Sequence, residues 1–168
     1  MTRLLIFSDV HKNKERLVHI LDRYSDLDYT ISLGDSEMKS KFLEERDVVA
    51  IKGNATFDAG FTEEHVLMIE EVRVVLTHGH KYRVQNGIDK LYYRALECEA
   101  QLIFYGHTHS ASYDVVENRL FVNPGSVNRS RSRDPETYLM IEAEKKTWKF
   151  QWLDAENHAL LREISHEF

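Results

Sequence analysis

The sequence has one cysteine, two prolines and no long apolar run. The single thiol, Cys98, cannot form an intramolecular disulfide, and its amphipathic surroundings predict a buried, inert side chain in a reducing compartment. The apolar run at residues 4–7 follows Arg3 and is too short for a signal-peptide core or a membrane span. We therefore expect a cytoplasmic protein that has no membrane partner.

The sequence also has no excess of positive charge. It contains 22 Lys and Arg residues and 28 Asp and Glu residues, which give a net charge of -6. This balance argues against an extended nucleic-acid surface, whereas a small anionic substrate is compatible with it. No internal repeat, low-complexity run or proline-rich linker divides the chain. With 42% hydrophobic and 30% charged residues, the chain is expected to fold as one domain spanning residues 1–168.

Short apolar runs alternate with helical spacing through the first two thirds of the chain, which is typical of βαβ units that feed a largely parallel sheet. Apolar residues at i, i+3, i+4 and i+7 predict one helix around Leu17 and Tyr24 and another around Leu91 and Ala95. The runs at 66–69 and 72–76 predict a hairpin, so the sheet should be mixed. The predicted strands that belong to βαβ units cover residues 3–8, 29–33, 48–51, 72–77 and 102–105.

The last third of the chain has β character. The strict alternation of Trp148, Phe150 and Trp152 predicts a strand with one buried face, and we interpret this stripe as core or subunit interface rather than a base-stacking platform. The spacing of Ala159, Leu160 and Ile164 predicts a closing helix. Further antiparallel strands are predicted at residues 115–116, 120–122 and 138–141.

Five of the predicted strands run directly into short polar clusters. In open α/β sheets ligands bind at this end of the strands, so the clusters should meet in one place. Carboxylates, imidazoles and a carboxamide are ligands that divalent Mn, Fe or Zn accept, and no thiolate competes with them. Each cluster alone is typical of a cap or turn, but five in succession indicate a metal site. The polar side chains of the clusters are Asp9, His11, Asp35, Asn54, His78, His80, His107 and His109.

The order of these motifs, D-x-H, G-D, G-N, H-G-H and G-H-T-H, followed by N-P-G-S at 123–126, resembles the calcineurin-like metallophosphoesterases. The likeness is greatest to their branch of small prokaryotic phosphodiesterases and spans roughly residues 1–130. The resemblance implies an α/β fold built on a two-sheet β-sandwich of mixed sheets flanked by α-helices. It also implies a metal-dependent phosphodiesterase that acts on a small phosphoester substrate.

The resemblance further implies two divalent metal ions per chain, with Mn expected and Fe, Ni or Zn as alternatives. The family pattern assigns Asp9, His11 and His109 to one ion, Asn54, His78 and His107 to the other, and Asp35 to both. Two ions about 3.5 to 4 Å apart would share a hydroxide that attacks phosphorus in line. On this pattern Asp35 and Asn54 act in catalysis, and Asn54 also contacts the substrate.

The chain departs from the family pattern directly after Asn54. Many members have a histidine there, which protonates the leaving oxygen or binds the phosphate, and the most similar branch has Cys-Asp, whereas this chain has Ala55 and Thr56. Asp58 and Thr56 lie near enough in sequence to contribute through water. The source of the leaving-group proton is therefore unassigned, and we expect a preference for leaving groups that need little protonation, such as aryl or nucleoside-like esters.

Two further positions have two interpretations each. His80 is either a substitute general acid in contact with the substrate or a support for the neighbouring ligands. Arg129, which is followed by Arg131 and Arg133, either binds a substrate phosphate or belongs to a solvated loop.

Three functions are open at this point. The leading hypothesis is a phosphodiesterase, because all seven positions of the family pattern carry side chains that can bind metal. A non-catalytic protein-binding scaffold, as in the retromer-subunit branch of the same fold, is the alternative, and a phosphomonoesterase is the third. Exposed aromatic strands in the tail would favour a homodimer.

Overall fold

The computed structural model describes residues 1–168 and contains two β-sheets. The strands are β1 (Thr2–Phe7), β2 (Tyr29–Ser32), β3 (Val48–Ala50), β4 (Glu64–Ile69), β5 (Val72–Thr77), β6 (Leu102–Phe104), β7 (Ser112–Val116), β8 (Arg119–Asn123), β9 (Thr137–Glu144), β10 (Thr147–Asp154) and β11 (Leu160–Glu167). One sheet has the order β11-β10-β9-β1-β2-β3 and the other β4-β5-β6-β8-β7. Parallel pairing joins β1, β2 and β3 and also β5, β6 and β8, whereas the other neighbours are antiparallel. Both sheets are therefore mixed, and the predicted hairpin is confirmed as β4 and β5.

Three short α-helices connect strands. They are α1 (Lys14–Asp22), α2 (Ser40–Glu44) and α3 (Asp89–Glu97), and two 3₁₀ turns occupy His80–Tyr82 and Val84–Asn86. Asn13 caps α1, because its side chain accepts a hydrogen bond from the backbone N–H of Arg16 at 3.2 Å. The helices α1 and α3 confirm the two predicted from apolar spacing. The sequence does not predict α2, since five residues are too few to show a helical period.

Alternation along the strands directs side chains into separate layers of the core. In β1, Leu4 and Ile6 lie in the cluster between the two sheets, whereas Leu5 and Phe7 pack with Leu17 of α1. On the far side of the other sheet, β5, β6 and β8 pack against α3 in the same way. The result is a two-sheet sandwich with helices on both outer faces, which confirms the predicted fold class.

The aromatic stripe of β10 belongs to this core. Trp148 and Phe150 are 0% exposed and Trp152 is 2% exposed, so their interpretation as core is confirmed. The expectation of exposed aromatic strands in the tail is wrong, because β10 turns this face toward the second sheet, where Phe104 contacts Phe150. The homodimer stays a prediction without that support.

The predicted closing helix at Ala159, Leu160 and Ile164 is also wrong. Residues 160–167 form β11, an edge strand that pairs antiparallel with β10. Only every second side chain in its latter half, Ile164 and His166, is half-buried, which is the period of a strand. So few apolar positions are compatible with both the helical and the strand period. Pairing with β10 decides that the segment is a strand.

Cys98 follows α3 and is half-buried rather than buried, and burial raises the pKa of its thiol. None of the helices combines the length and the apolar character that a membrane crossing requires. The ends predicted for the five strands of the βαβ units lie within one residue of the observed ends. The polar clusters therefore begin where β1, β2, β3, β5 and β6 stop.

Candidate metal centre

The clusters after β1 and β6 supply a first group of ligand atoms. His11 Nε2 lies 3.1 Å from His109 Nε2, and Asp9 Oδ1 lies 3.2 Å from His109 Nε2. One ligand atom from each of these three residues lies within 4.8 Å of the others. The group combines residues from the ends of both sheets, so it exists only because the sheets are packed together.

A second group consists of Asp9, Asp35 and His78, again with ligand atoms within 4.8 Å of one another. His78 Nε2 lies 3.3 Å from Asp35 Oδ2 and 3.9 Å from Asp9 Oδ1. Asn54 adjoins this group, because its Oδ1 lies 3.1 Å from His78 Nε2. Since Asp9 belongs to both groups, the two form one continuous centre.

Hydrogen bonds fix the orientation of two histidines in the centre. His78 Nδ1 donates to the carbonyl of Leu33 and His109 Nδ1 donates to the carbonyl of Arg129, both at 2.7 Å. A carbonyl oxygen can only accept, so a neutral imidazole in this position keeps its lone pair on Nε2. Both Nε2 atoms therefore face the centre as ligand atoms.

Acceptor atoms thus outnumber protons in the centre. Asp9 Oδ1 is buried and has no hydrogen-bond partner. The carboxylates of Asp9 and Asp35, both in buried residues, add negative charge. Buried lone pairs and charges without partners are costly, so the arrangement requires positive charge between its ligand atoms. Imidazole and carboxylate are ligands of divalent Mn, Fe and Zn, and these residues therefore fit a metal centre.

The same requirement shifts the ionisation of these side chains. The interaction with Asp9 raises the pKa of His11. Burial opposes charge on His78, but Asp35 and Asp9 outweigh it and raise its pKa. Burial likewise works to raise the pKa of Asp9, yet His109 and His11 hold it below the ordinary range. Protons and metal ions would compete for the same nitrogen atoms.

The backbone of the centre is held in an uncommon conformation. Left-handed φ angles occur at Asp9 (55°), His11 (45°), Asp35 (52°), His107 (68°) and His109 (58°). Such backbone costs about 1 kcal/mol or more per residue and clusters at functional sites. Hydrogen bonds stabilise these turns: the N–H of His107 donates to Asp9 Oδ2 at 3.0 Å, and the N–H of Ala55 donates to Asp35 Oδ1 at 2.9 Å.

Comparison with known proteins identifies the family of this chain. Residues 2–146 match the model of the calcineurin-like phosphoesterase superfamily domain. The chain belongs to this superfamily. The probable metallophosphoesterase YsnB of Bacillus subtilis is 32% identical over 152 residues, which cover 90% of each chain.

Solved structures share the fold of this phosphoesterase. A predicted phosphoesterase from Streptococcus pneumoniae superimposes with a TM-score of 0.88 at 30% identity, covering 99% of this chain and 97% of that one. Vps29 of Entamoeba histolytica, solved with Zn²⁺, superimposes with a TM-score of 0.80 at 18% identity, covering 98% and 99% of the two chains. At that identity the second likeness shows the fold alone.

All seven predicted metal ligands lie at one edge of the sandwich, but two of them lie outside the two groups. Asn54 and His107 lie beside the second group, and the ring centroid of His107 is 5.2 Å from that of His78. Asp9, predicted for the first group only, reaches both. Asp35 is likewise near both, because its Oδ2 lies 4.0 Å from His11 Nε2.

His80 lies beside the second group. Its ring centroid is 5.3 Å from that of His78 and 6.1 Å from that of His107, and its buried Nδ1 has no hydrogen-bond partner. Burial, followed by the charge of His78, lowers the pKa of His80. This placement is compatible with both interpretations of His80.

The other predicted contributors lie outside the centre. Arg129 has an exposed side chain and takes part through its backbone carbonyl, which accepts the hydrogen bond from His109. Asp58 is directed to α2, because its carboxylate accepts hydrogen bonds from the N–H groups of Ser40 and Gly60, each at 2.8 Å. The carboxylate of Asp58 is therefore engaged in these hydrogen bonds and is not directed to the leaving group.

Sequence reasoning missed one carboxylate and understated one hydroxyl. Glu37 Oε2 accepts a hydrogen bond from His11 Nδ1 at 2.9 Å and orients that imidazole. Its only sequence signal is its place two residues after Asp35. Ser126, at the end of the N-P-G-S turn, donates its hydroxyl hydrogen to the backbone carbonyl of Asp9 at 2.8 Å. The turn therefore helps to hold the backbone of Asp9 in place.

Proposed function

We propose that this chain is a metal-dependent phosphodiesterase that uses two divalent ions, with Mn²⁺ expected, and that residues 1–168 form its single domain. The observation that carries the proposal is the pair of contiguous acceptor groups around Asp9, whose buried Oδ1 has no partner. Two bound ions would lower the pKa of an attacking water and neutralise charge on the phosphate oxygens.

The residues around the centre have separate roles in this proposal. Asp9, His11 and His109 hold one ion, and His78, Asn54 and His107 hold the other. Asp35 serves both ions, and Asp9 lies close enough to the second group to support it. Asn54 is exposed beside the second group and would contact a non-bridging phosphate oxygen. Arg129 and its exposed loop would add a cation for the substrate phosphate.

The proton supply to the leaving group distinguishes this chain from much of its family. Ala55 contributes only its backbone N–H, which donates to Asp35, and the Asp58 carboxylate faces α2. His80 is the one unassigned imidazole next to the second group. A diester with an aryl leaving group suits such a site, because a phenolate of low pKa departs without being protonated.

Hydrolysis of bis(4-nitrophenyl) phosphate and of 4-nitrophenyl phosphate with added Mn²⁺ tests the reaction class. We expect a higher kcat/KM for the diester, and loss of activity by about a hundredfold or more in Asp35→Asn. Asp114→Asn on the exposed face of β7 is the matched control and should retain activity. Activity that survives Asp35→Asn, or that favours the monoester, would contradict the proposal.

A series of aryl diesters with graded leaving-group pKa tests the proton supply. Without an acid the rate should fall steeply as the leaving-group pKa rises, whereas a flat dependence with a bell-shaped pH profile would reveal one. His80→Ala separates the two interpretations of that residue. Loss of rate confined to poor leaving groups identifies an acid, and loss of metal affinity identifies a support.

A protein-binding scaffold is the second candidate, because the fold superimposes on Vps29 over nearly the whole chain. A protein of this kind would bind metal yet hydrolyse no diester. Inactivity with Mn²⁺, Fe²⁺, Ni²⁺ and Zn²⁺, together with metal binding that Asp35→Asn weakens, would therefore favour the scaffold over the enzyme.

A further inference from the structure

A pocket rich in lysine lies next to the candidate metal centre. It is an open pocket of about 320 Å³ lined by Lys12, Lys14, Glu37, Met38, Lys39 and Phe42, which together we call the lysine pocket. The loop after β1, the start of α1, the loop after β2 and α2 contribute these residues. Neither the metal ligands nor the proposed reaction uses the three ammonium groups.

The positive charge of the lysine pocket is poorly compensated. Glu37 is the only acid among the lining residues, and its carboxylate already accepts the hydrogen bond from His11 while lying 3.8 Å from the ammonium of Lys12. Outside the pocket, the charge of Lys39 acts on the carboxylate of Asp58. Lys14 lies over the ring of Phe42, 4.7 Å from its centroid, instead of pairing with a carboxylate. In a chain of net charge -6, such a local excess of cations favours an anionic ligand.

The lysine pocket and the metal centre share a wall. One oxygen of Glu37 contacts His11 in the centre, and the other faces Lys12 in the pocket. Lys12 also follows His11 directly in the chain. The centre and the pocket therefore adjoin each other across the side chain of Glu37.

We propose that the lysine pocket binds a second phosphate group carried by one arm of the substrate. Ammonium groups bind phosphate as point charges, and three lysines line this pocket. Met38 and Phe42 supply apolar surface for the sugar or aryl group that joins the two phosphates. The substrate class is thus a phosphodiester with a further terminal phosphate. This inference rests on the proposed phosphodiesterase function.

Calorimetric titration of the Mn²⁺-loaded protein with adenosine 3′,5′-bisphosphate and with adenosine 5′-monophosphate tests the pocket. Lys14→Gln with Lys39→Gln removes two charges and keeps the side-chain length. The fold should tolerate both changes, because Lys14 is exposed and Lys39 makes no side-chain hydrogen bond to α2. We expect the double variant to lose about tenfold in affinity for the bisphosphate and less than about twofold for the monophosphate.

Lys41→Gln is the matched control. It lies on α2 outside the pocket, where Lys41 pairs with Glu45 at 3.9 Å, and it should leave both affinities unchanged. Equal losses for the two nucleotides in the double variant, or an equal effect of Lys41→Gln, would overturn the inference as a general effect of charge. Failure of the wild type to hydrolyse bis(4-nitrophenyl) phosphate would instead overturn the phosphodiesterase function and leave the calorimetric result standing.

Discussion

At the scale of single residues, the candidate centre depends on what holds each imidazole. His78 and His109 donate Nδ1 to backbone carbonyls, whose positions the fold determines. His11 donates instead to the side chain of Glu37, which is 19% exposed. The orientation of His11 can therefore be tested by a substitution, whereas that of the other two cannot.

Glu37→Ala should lower metal affinity by about 10-fold to 100-fold, because loss of such an orienting partner frees the ligand ring to rotate. Titration of the metal-depleted protein with Mn²⁺ measures the effect. Glu44→Ala, an exposed position on α2, is the control and should change nothing. Equal affinities of wild type and Glu37→Ala would show that His11 needs no partner or is no ligand.

At the scale of elements, α2 is a five-residue helix that depends on a distant carboxylate. Lys39 precedes it without a capping hydrogen bond, and Asp58 supplies acceptors for the N–H and hydroxyl groups of Ser40 instead. The same carboxylate accepts from the N–H of Gly60. Asp58 therefore joins α2 to the loop that follows Asn54.

The pH dependence of this junction follows from the Asp58 pKa. Hydrogen bonds from the N–H of Ser40, then from that of Gly60, hold it below its ordinary value of 3.8. A lowered pKa in the folded state means that the carboxylate stabilises the junction above pH 3.8 and loses this effect as pH falls through the lower folded value. In an NMR pH titration, the chemical shifts of the Ser40 and Gly60 amides should change below pH 3.8 in the wild type but not in Asp58→Asn. A titration midpoint at or above pH 3.8 would refute the lowered pKa of Asp58.

The edge strand β11 is held by its pairing with β10 and by one half-buried aliphatic side chain. Ile164 lies opposite Phe150 and packs against the core between the sheets, whereas Leu161 is 46% exposed. Ile164→Ala should therefore lower the free energy of unfolding by about 1–2 kcal/mol, less than a fully buried isoleucine would cost.

Urea denaturation of Ile164→Ala beside Leu161→Ala measures this difference. The control should stay within about 0.5 kcal/mol of wild type, as exposed positions usually do. Equal destabilisation by the two substitutions would mean that β11 packs differently from the arrangement described.

At the scale of the whole molecule, the candidate centre joins the two sheets. His11 and Asp35 come from the ends of strands in one sheet, and His78 and His109 from those in the other. Without a cation between them these groups would place unpartnered acceptors at the edge where the sheets meet. Metal binding should therefore stabilise the entire sandwich.

Mn²⁺ at about 100 times its dissociation constant should raise the free energy of unfolding by about 2.7 kcal/mol, since it binds the folded chain and not the unfolded one. Thermal unfolding with Mn²⁺ and then with EDTA measures the gain. Asp35→Asn should abolish most of it. An unfolding temperature that ignores both metal and chelator would count against a metal centre that links the sheets.

Some features of the structure could be predicted from the local sequence pattern, and others could not. The strand ends at Phe7, Ser32 and Thr77 were predictable to within one residue, because apolar runs stop where the strands leave the core. The burial of Trp148 was predictable from alternation. The strand at Ile164 and the role of Glu37 were not, since one depends on a partner strand and the other on a side chain from a different loop.

The sequence by itself determined the fold class, the family and the set of side chains able to bind metal, because strand periodicity and motif order are local properties. Only the tertiary structure decided that Asp9 reaches both ligand groups and that Asp58 faces α2. It also decided that residues from four segments, three of them lysines, line one pocket. His11 and His109 are 98 residues apart in the chain, yet their Nε2 atoms are 3.1 Å apart. Distances of that kind arise from the packing of two sheets, which no local spacing encodes.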